Sequence, residues 1–85
     1  MKAGDRKRRV KFSPKALENL DELKATVSEL KQIGREQVRL GRDASLGYPV
    51  PLDYELFGKR LFRYDVGRFG LIYTIGKYVE IVSVV

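Results

Sequence analysis

The stretch that decides the fold is RYDVGRFGLIYTIGKYVEIVSVV, residues 63–85. Apolar and polar residues alternate along it, as they do in strands with one buried face, and Gly67 and Gly76 interrupt the alternation. Short Gly-X connections between alternating runs are typical of β-hairpins. Extended back to residue 59, the stretch predicts three antiparallel strands, at 59–66, 69–75 and 78–84, which form a meander.

The buried face of this meander is only partly defined by the alternation. Leu71, Tyr73 and Ile75 fall on one face of the middle strand. For the last strand the pattern leaves two sets open, Val79, Ile81 and Ser83 or Val82 and Val84.

Two helices precede the meander. Ser13-Pro14 is a favourable helix start, because serine caps helices and proline suits the first helical position. An apolar stripe with spacings of three and four follows, made of Leu17, Leu20, Leu23, Val27, Leu30 and Ile33. We expect helices over 14–25 and 28–42, the second opened by Ser28 and Glu29, and a short edge strand before them at 8–12.

The predicted order is therefore β-α-α-β-β-β. The fold class is α+β: an N-terminal strand, a helical hairpin, and then a three-stranded antiparallel β-meander on which the hairpin packs. The 85 residues form a single domain, 1–85, in which 1–7 are expected to be disordered and 43–58 to form tight loops and extended pieces.

Composition limits the classes of function. The net charge is +6, which favours an anionic or acidic partner. The chain has no cysteine and no histidine, the usual zinc ligands, so we expect no metal site; it also has no phosphate-binding glycine loop, so we expect no cofactor. No apolar run is long enough to span a membrane and no signal peptide is evident, so we expect a cytoplasmic protein without a membrane partner.

The segment LFRYDVGRFGLIY, residues 61–73, resembles the strand–turn–strand motif of the RelE/ParE toxin superfamily of type II toxin–antitoxin systems. The opening VKFSPKALENLDEL, residues 10–23, is similar to the family's first strand and capped helix. The matched positions of the strand–turn–strand motif are Leu61, Phe62, Arg63, Val66, Gly67, Phe69, Leu71, Ile72 and Tyr73. Two arginines of the family pattern are replaced, by Asp65 and Gly70, and the sequence ends at Val85 where the family commonly continues.

The resemblance implies a toxin that is neutralised by a cognate antitoxin. The leading expectation is the RelE branch, whose toxins inhibit translation by cutting mRNA on the ribosome, as endoribonucleases; the other branch is the alternative. In the ParE branch they inhibit DNA gyrase by binding it, without cleavage. A degenerate toxin that only binds a partner or nucleic acid is the third possibility.

Candidate site residues follow from these chemistries. Arg63 and Tyr73 are the candidate catalytic residues, for a phosphate and a proton respectively. Predicted RNA or ribosome contacts are Lys59, Arg60, Arg68 and the helical stripe Lys31, Arg35, Arg39 and Arg42. Structural interpretations stand beside them: Arg63 paired with Asp65 or Glu80, Tyr73 as a core aromatic, and the basic stripe as a solvated helix face.

Overall fold

A computed structural model gives the structure of the protein and describes residues 7–51 and 59–85. Its elements are β1 (Val10–Phe12), α1 (Pro14–Glu22), α2 (Val27–Arg42), a 3₁₀ turn (Ala44–Leu46), β2 (Tyr48–Pro49), β3 (Phe62–Val66), β4 (Phe69–Ile75) and β5 (Val79–Val84). The predicted α+β class and element order are confirmed. Within these two ranges no helix is long and apolar enough to cross a membrane. The predictions for residues 1–6 and 52–58 lie outside the described residues.

Both helices begin with a capping serine or threonine. The Ser13 hydroxyl accepts a hydrogen bond from the Ala16 amide at 3.0 Å and donates one to the Val82 carbonyl at 2.9 Å, so it also ties α1 to β5. At α2 the cap is Thr26, which forms a capping box with Glu29. The prediction that Ser28 opens the second helix was wrong, because the reciprocal bonds with Glu29 are made by Thr26.

The sheet has five strands in the order β1-β5-β4-β3-β2. The antiparallel pairs β3–β4 and β4–β5 confirm the meander. β1 is an edge strand, as predicted, and runs parallel to β5. β2 adds a second edge strand, antiparallel to β3, inside the segment predicted as tight loops and extended pieces; its pairing with the sheet was not predicted. Pro49 suits that place, since an edge strand does not need every N–H for pairing.

The two hairpin turns of the meander differ. Gly67 lies at the β3–β4 turn with φ of 57°, a left-handed conformation that glycine adopts without strain, and this turn was predicted. The β4–β5 connection has three residues, 76–78, rather than the expected two, because Ile75 pairs with Val79.

A bulge in β5 decides which of its residues are buried. Tyr73 pairs with Ile81 but Ile72 pairs with Ser83, so Val82 is the extra residue. The alternation shifts by one position at Val82, and the buried set becomes Val79, Ile81 and Val84. Neither set proposed from strict alternation is correct, because each assumes an unbroken strand.

The helices cover one face of the sheet, where α1 packs on β5 and α2 contacts β1 and β3. The core is apolar and comprises Ala16, Leu20, Ile33, Leu40, Ala44, Val66, Phe69, Leu71, Tyr73, Val79, Ile81 and Val84. Neighbouring strand residues point to opposite faces. Arg63, Asp65, Gly70, Ile72 and Ser83 therefore share the other face, which we call the open face.

Candidate functional site

Arg63 lies on β3, on the open face, as predicted for a residue that projects from the sheet. Its Nε donates to Oδ1 of Asp65 at 2.7 Å, so the pairing with Asp65 considered from the sequence is present. Among the described residues no hydrogen bond uses the two terminal nitrogens of Arg63. The side chain is 38% exposed, so these nitrogens remain able to meet an anion.

Gly70 makes room for this arrangement. A β-carbon built at Gly70 would lie 2.6 Å from Cζ of Arg63, so the guanidinium lies directly over the glycine. Asp65 pairs with Gly70 across the β3–β4 ladder. The two departures from the resembled motif, Asp65 and Gly70, therefore act together: one binds Arg63 and the other gives it space.

Tyr48 completes the cluster, and sequence analysis missed it because the extended pieces expected at 43–58 were not assigned to the sheet. Its hydroxyl donates to Oδ2 of Asp65 at 3.2 Å, which places it beside Arg63. A cleft of about 520 Å³ opens at this cluster and is lined mainly by apolar residues, among them Val50, Leu61 and Ile72. The Arg63 cluster, Tyr48, Arg63 and Asp65, thus lies at the edge of an apolar depression.

The ion pair keeps both of its partners charged. The hydrogen bond from Arg63 holds the pKa of Asp65 below its usual range, and the same bond raises the pKa of Arg63. A carboxylate with a lowered pKa is a weak base. The cluster can therefore bind a phosphate or carboxylate through Arg63, but Asp65 is poorly suited to remove a proton from a hydroxyl.

Tyr73, predicted as catalytic, lies in the core with no exposed surface. Its hydroxyl donates to the Ala44 carbonyl at 2.8 Å and accepts from the Gly47 amide at 3.0 Å. Burial raises the pKa of this hydroxyl. This placement gives Tyr73 a structural role, which is to hold the turn after α2, and it offers no support for the catalytic prediction.

Arg68, predicted as a nucleic-acid contact, reaches towards the helices. Its Nε donates to Oε2 of Glu29 at 2.6 Å, and its Nη2 donates to the Leu23 carbonyl at 2.9 Å, just past the end of α1. The guanidinium also lies 4.3 Å from the ring centroid of Phe69. These contacts fasten the β3–β4 turn to the junction of α1 and α2.

The Arg68–Glu29 pair predicts a specific loss of stability in acid. Hydrogen bonding to Arg68 lowers the pKa of Glu29 from 4.5 to about 2. Because the folded-state pKa is the lower one, the pair stabilises the fold above about pH 4.5, and this contribution disappears as the pH falls towards 2. As the pH falls from 4.5 to about 2, we expect the urea midpoint of the Glu29→Gln variant to fall less than that of the wild type. Glu22→Gln, which removes an exposed carboxylate at the end of α1, is the control, and equal slopes for all three proteins would contradict the prediction.

The basic stripe of α2 lies on the other side of the sheet from Arg63. Lys31, Arg35, Arg39 and Arg42 are all exposed. Arg39 pairs with Glu36 at 2.9 Å, and Glu36 also accepts a hydrogen bond from Tyr64 at 2.7 Å. The structure therefore does not bring the stripe and the Arg63 cluster into one site.

Lys59 and Arg60 precede β3 and are exposed. Of the predicted cations, they and Arg63 lie just before or within β3, whereas Arg68 contacts the helices. The predicted binding residues are thus spread over three places in the fold.

The whole fold was compared with solved structures. One chain in the crystal structure of the toxin–antitoxin complex RelBE2 from Mycobacterium tuberculosis matches with a TM-score of 0.74, over 93% of this chain and 90% of that chain. The fold is RelE-like. The two sequences are 21% identical, and neither a family model nor a curated protein matched the present sequence. The RelE-like fold expected from the strand–turn–strand motif is thereby confirmed, with β2 as an addition to the predicted meander.

Proposed function

We propose that the chain is the toxin of a type II toxin–antitoxin pair, which acts in the cytoplasm and is held inactive by a cognate antitoxin. The observation that carries this proposal is the likeness in fold to a chain of the RelBE2 complex, over nearly the whole of both chains. The net charge of +6 supports an acidic or anionic partner. The match around Arg63 to the RelE/ParE motif supports the same assignment.

The chemistry of the Arg63 cluster favours action by binding. Cleavage of RNA by its own 2′-hydroxyl needs a base for that hydroxyl and a positive charge for the crowded phosphate. Here Asp65 neutralises Arg63, and the lowered pKa of Asp65 makes it a weak base. We therefore assign the toxin to the ParE-like mode, in which a target such as DNA gyrase is bound and inhibited.

Ribosome-dependent mRNA cleavage is the second candidate. It is favoured by the unengaged terminal nitrogens of Arg63 and by the Tyr48 hydroxyl beside them, which could meet a phosphate and a leaving oxygen. Lys59 and Arg60 would add positive charge along an RNA strand. In this mode an RNA phosphate would displace Asp65 from Arg63.

Induction of the chain alone in a bacterial host separates these functions. We expect growth to stop without new mRNA ends when transcripts are mapped by primer extension, and growth to resume when Arg63→Ala replaces the wild type. Lys77→Ala, which removes an exposed cation in the β4–β5 turn, is the matched control and should stay toxic. Cuts within codons would establish the RelE-like mode instead. Continued growth with a folded, abundant protein would overturn the toxin proposal.

Asp65→Asn tests whether the ion pair with Asp65 weakens the binding of an anion by Arg63. We expect this variant to bind a fluorescein-labelled single-stranded RNA roughly twofold to fivefold more tightly than the wild type in anisotropy titrations, because the ion pair is exposed and of modest strength. Asp21→Asn adds the same charge on the exposed side of α1 and is the control. An equal gain for both variants would show that only net charge matters.

A further inference from the structure

The open face of the sheet carries a row of four side chains, one from each of four neighbouring strands. Tyr48 of β2 pairs with Arg63 of β3, which pairs in turn with Ile72 of β4. Ile72 then pairs with Ser83 of β5. Directly paired residues of antiparallel strands place their side chains on the same face, about 5 Å apart. All four residues line the cleft of about 520 Å³, so the row runs across it.

The rest of the described lining of this cleft is apolar. It consists of Pro49, Val50, Pro51, Leu61 and Val85. Leu61 is 9% exposed and Val85 53%, so the apolar lining extends from a largely buried side chain to the surface. Sites for small molecules have this character: they have volumes of about 300–1,000 Å³ and are mostly apolar, with a few polar groups that orient the ligand.

Arg63 supplies the charge. It is the one charged residue in the described lining of the cleft. Asp65, which accepts from its Nε, is not among the residues of that lining, so the ion pair leaves the cleft side of the guanidinium accessible. The two terminal nitrogens can therefore donate together to a carboxylate, in the bidentate geometry that arginine favours. Asp65 and the space above Gly70 hold the guanidinium in place before any ligand arrives.

We propose that the cleft binds a small carboxylic acid with an apolar body. The carboxylate lies on the terminal nitrogens of Arg63, and the body packs against Ile72 and the apolar lining. One cation beside an apolar cleft is complementary to a single negative charge on an apolar molecule. A nucleotide could also place its phosphate on Arg63. Its base, however, would bring several hydrogen-bonding groups into a lining whose other described polar side chains are Tyr48 and Ser83.

Such a ligand would occupy the residue on which the proposed toxicity depends. If the proposed function holds, a bound acid competes with the target of the toxin for Arg63, and on that point the inference rests on the proposed function. Binding of the acid itself needs only the cleft and the guanidinium. The cleft would then make the activity of the toxin sensitive to a small molecule.

Calorimetric titration of the purified chain with biphenyl-4-carboxylate tests the site. The control ligand is biphenyl-4-carboxamide, which has the same rings and no charge, and we expect it to bind at least tenfold more weakly. We expect Arg63→Gln to weaken binding of the carboxylate about tenfold. Arg35→Gln removes the same charge from the exposed side of α2, on the other side of the sheet, and should bind as the wild type does.

Ile72→Thr tests the apolar half of the site. Threonine is also β-branched and suits a strand, and Ile72 is only half-buried on the open face, so the fold should be kept. We expect this variant to bind biphenyl-4-carboxylate about threefold to tenfold more weakly, because the body of the ligand loses apolar contact. Binding of acetate, which has no apolar body, should be too weak to measure in either protein.

Three results would overturn the proposal. One is the absence of measurable binding of biphenyl-4-carboxylate at about 1 mM. Another is equal affinity for the carboxylate and the carboxamide, or for the wild type and Arg63→Gln. The third is tighter binding of uridine monophosphate that is insensitive to Ile72→Thr, which would make this a nucleotide site. Growth arrest plays no part in the assay, so the site can fail while the toxin proposal stands, and the reverse also holds.

Discussion

Tyr73→Phe is expected to destabilise the fold by about 2–3 kcal/mol, although it removes a single oxygen. The Tyr73 hydroxyl lies in the core, where it bonds to both the Ala44 carbonyl and the Gly47 amide. Phenylalanine keeps the ring and its stacking on Phe62, at 5.7 Å between centroids, but leaves two backbone groups without a partner. For a chain of this size the loss corresponds to a fall in melting temperature of roughly 10–20 °C.

Tyr78→Phe is the matched control. Tyr78 lies in the β4–β5 connection, 37% exposed, with the Lys11 ammonium 4.4 Å from its ring centroid, an interaction that phenylalanine keeps. We expect a change of less than about 0.5 kcal/mol in urea unfolding. Similar losses for both variants would mean that the buried bonds of Tyr73 contribute little.

Gly47→Ala is expected to destabilise the fold by a similar amount, because it disturbs the same contact between Gly47 and Tyr73. A β-carbon at Gly47 would lie 2.7 Å from the Arg63 carbonyl oxygen and would also clash with the Tyr73 hydroxyl. The first neighbour is backbone of β3, so it cannot rotate away. We expect a loss of about 1–3 kcal/mol in the free energy of unfolding, together with weaker pairing of β2.

Gly34→Ala is the opposite case and serves as its control. Open space surrounds Gly34 in the middle of α2, so alanine should stabilise the helix by about 1 kcal/mol. The double variant of Tyr73→Phe with Gly47→Ala should lose less than the sum of its parts, because phenylalanine lacks the hydroxyl with which the new β-carbon at Gly47 would clash. Strict additivity would show that Gly47 acts through Arg63 alone.

The elements that could be predicted from the sequence are those whose signal is local. Ser13-Pro14 marks the start of α1, and Gly67 marks the β3–β4 turn, because each residue's own chemistry suits its position. The bulge at Val82 and the strand at Tyr48–Pro49 depend on what lies across the sheet. A pattern of alternation carries no information on a partner strand, so both were missed.

The same division holds for the candidate site. Arg63 and Asp65 are two residues apart on one strand, so their pairing could be considered from the sequence. The partner of Arg68 is Glu29, separated from it by 39 residues, and no spacing rule connects them. Tyr73 has the pattern of a core residue. Its partners, the Ala44 carbonyl and the Gly47 amide, lie in the turn after α2, and no sequence pattern places that turn beside β4.

The parallel pairing of β1 with β5 has a consequence for synthesis of the protein. Ser13 and Val82, which bond across this edge, are 69 residues apart in sequence, so the contact forms late and closes a long loop. A nascent chain that has not yet released β5 from the ribosome lacks the strand on which α1 packs. We therefore expect the nascent chain to stay unfolded until β5 has emerged and can pair with β1.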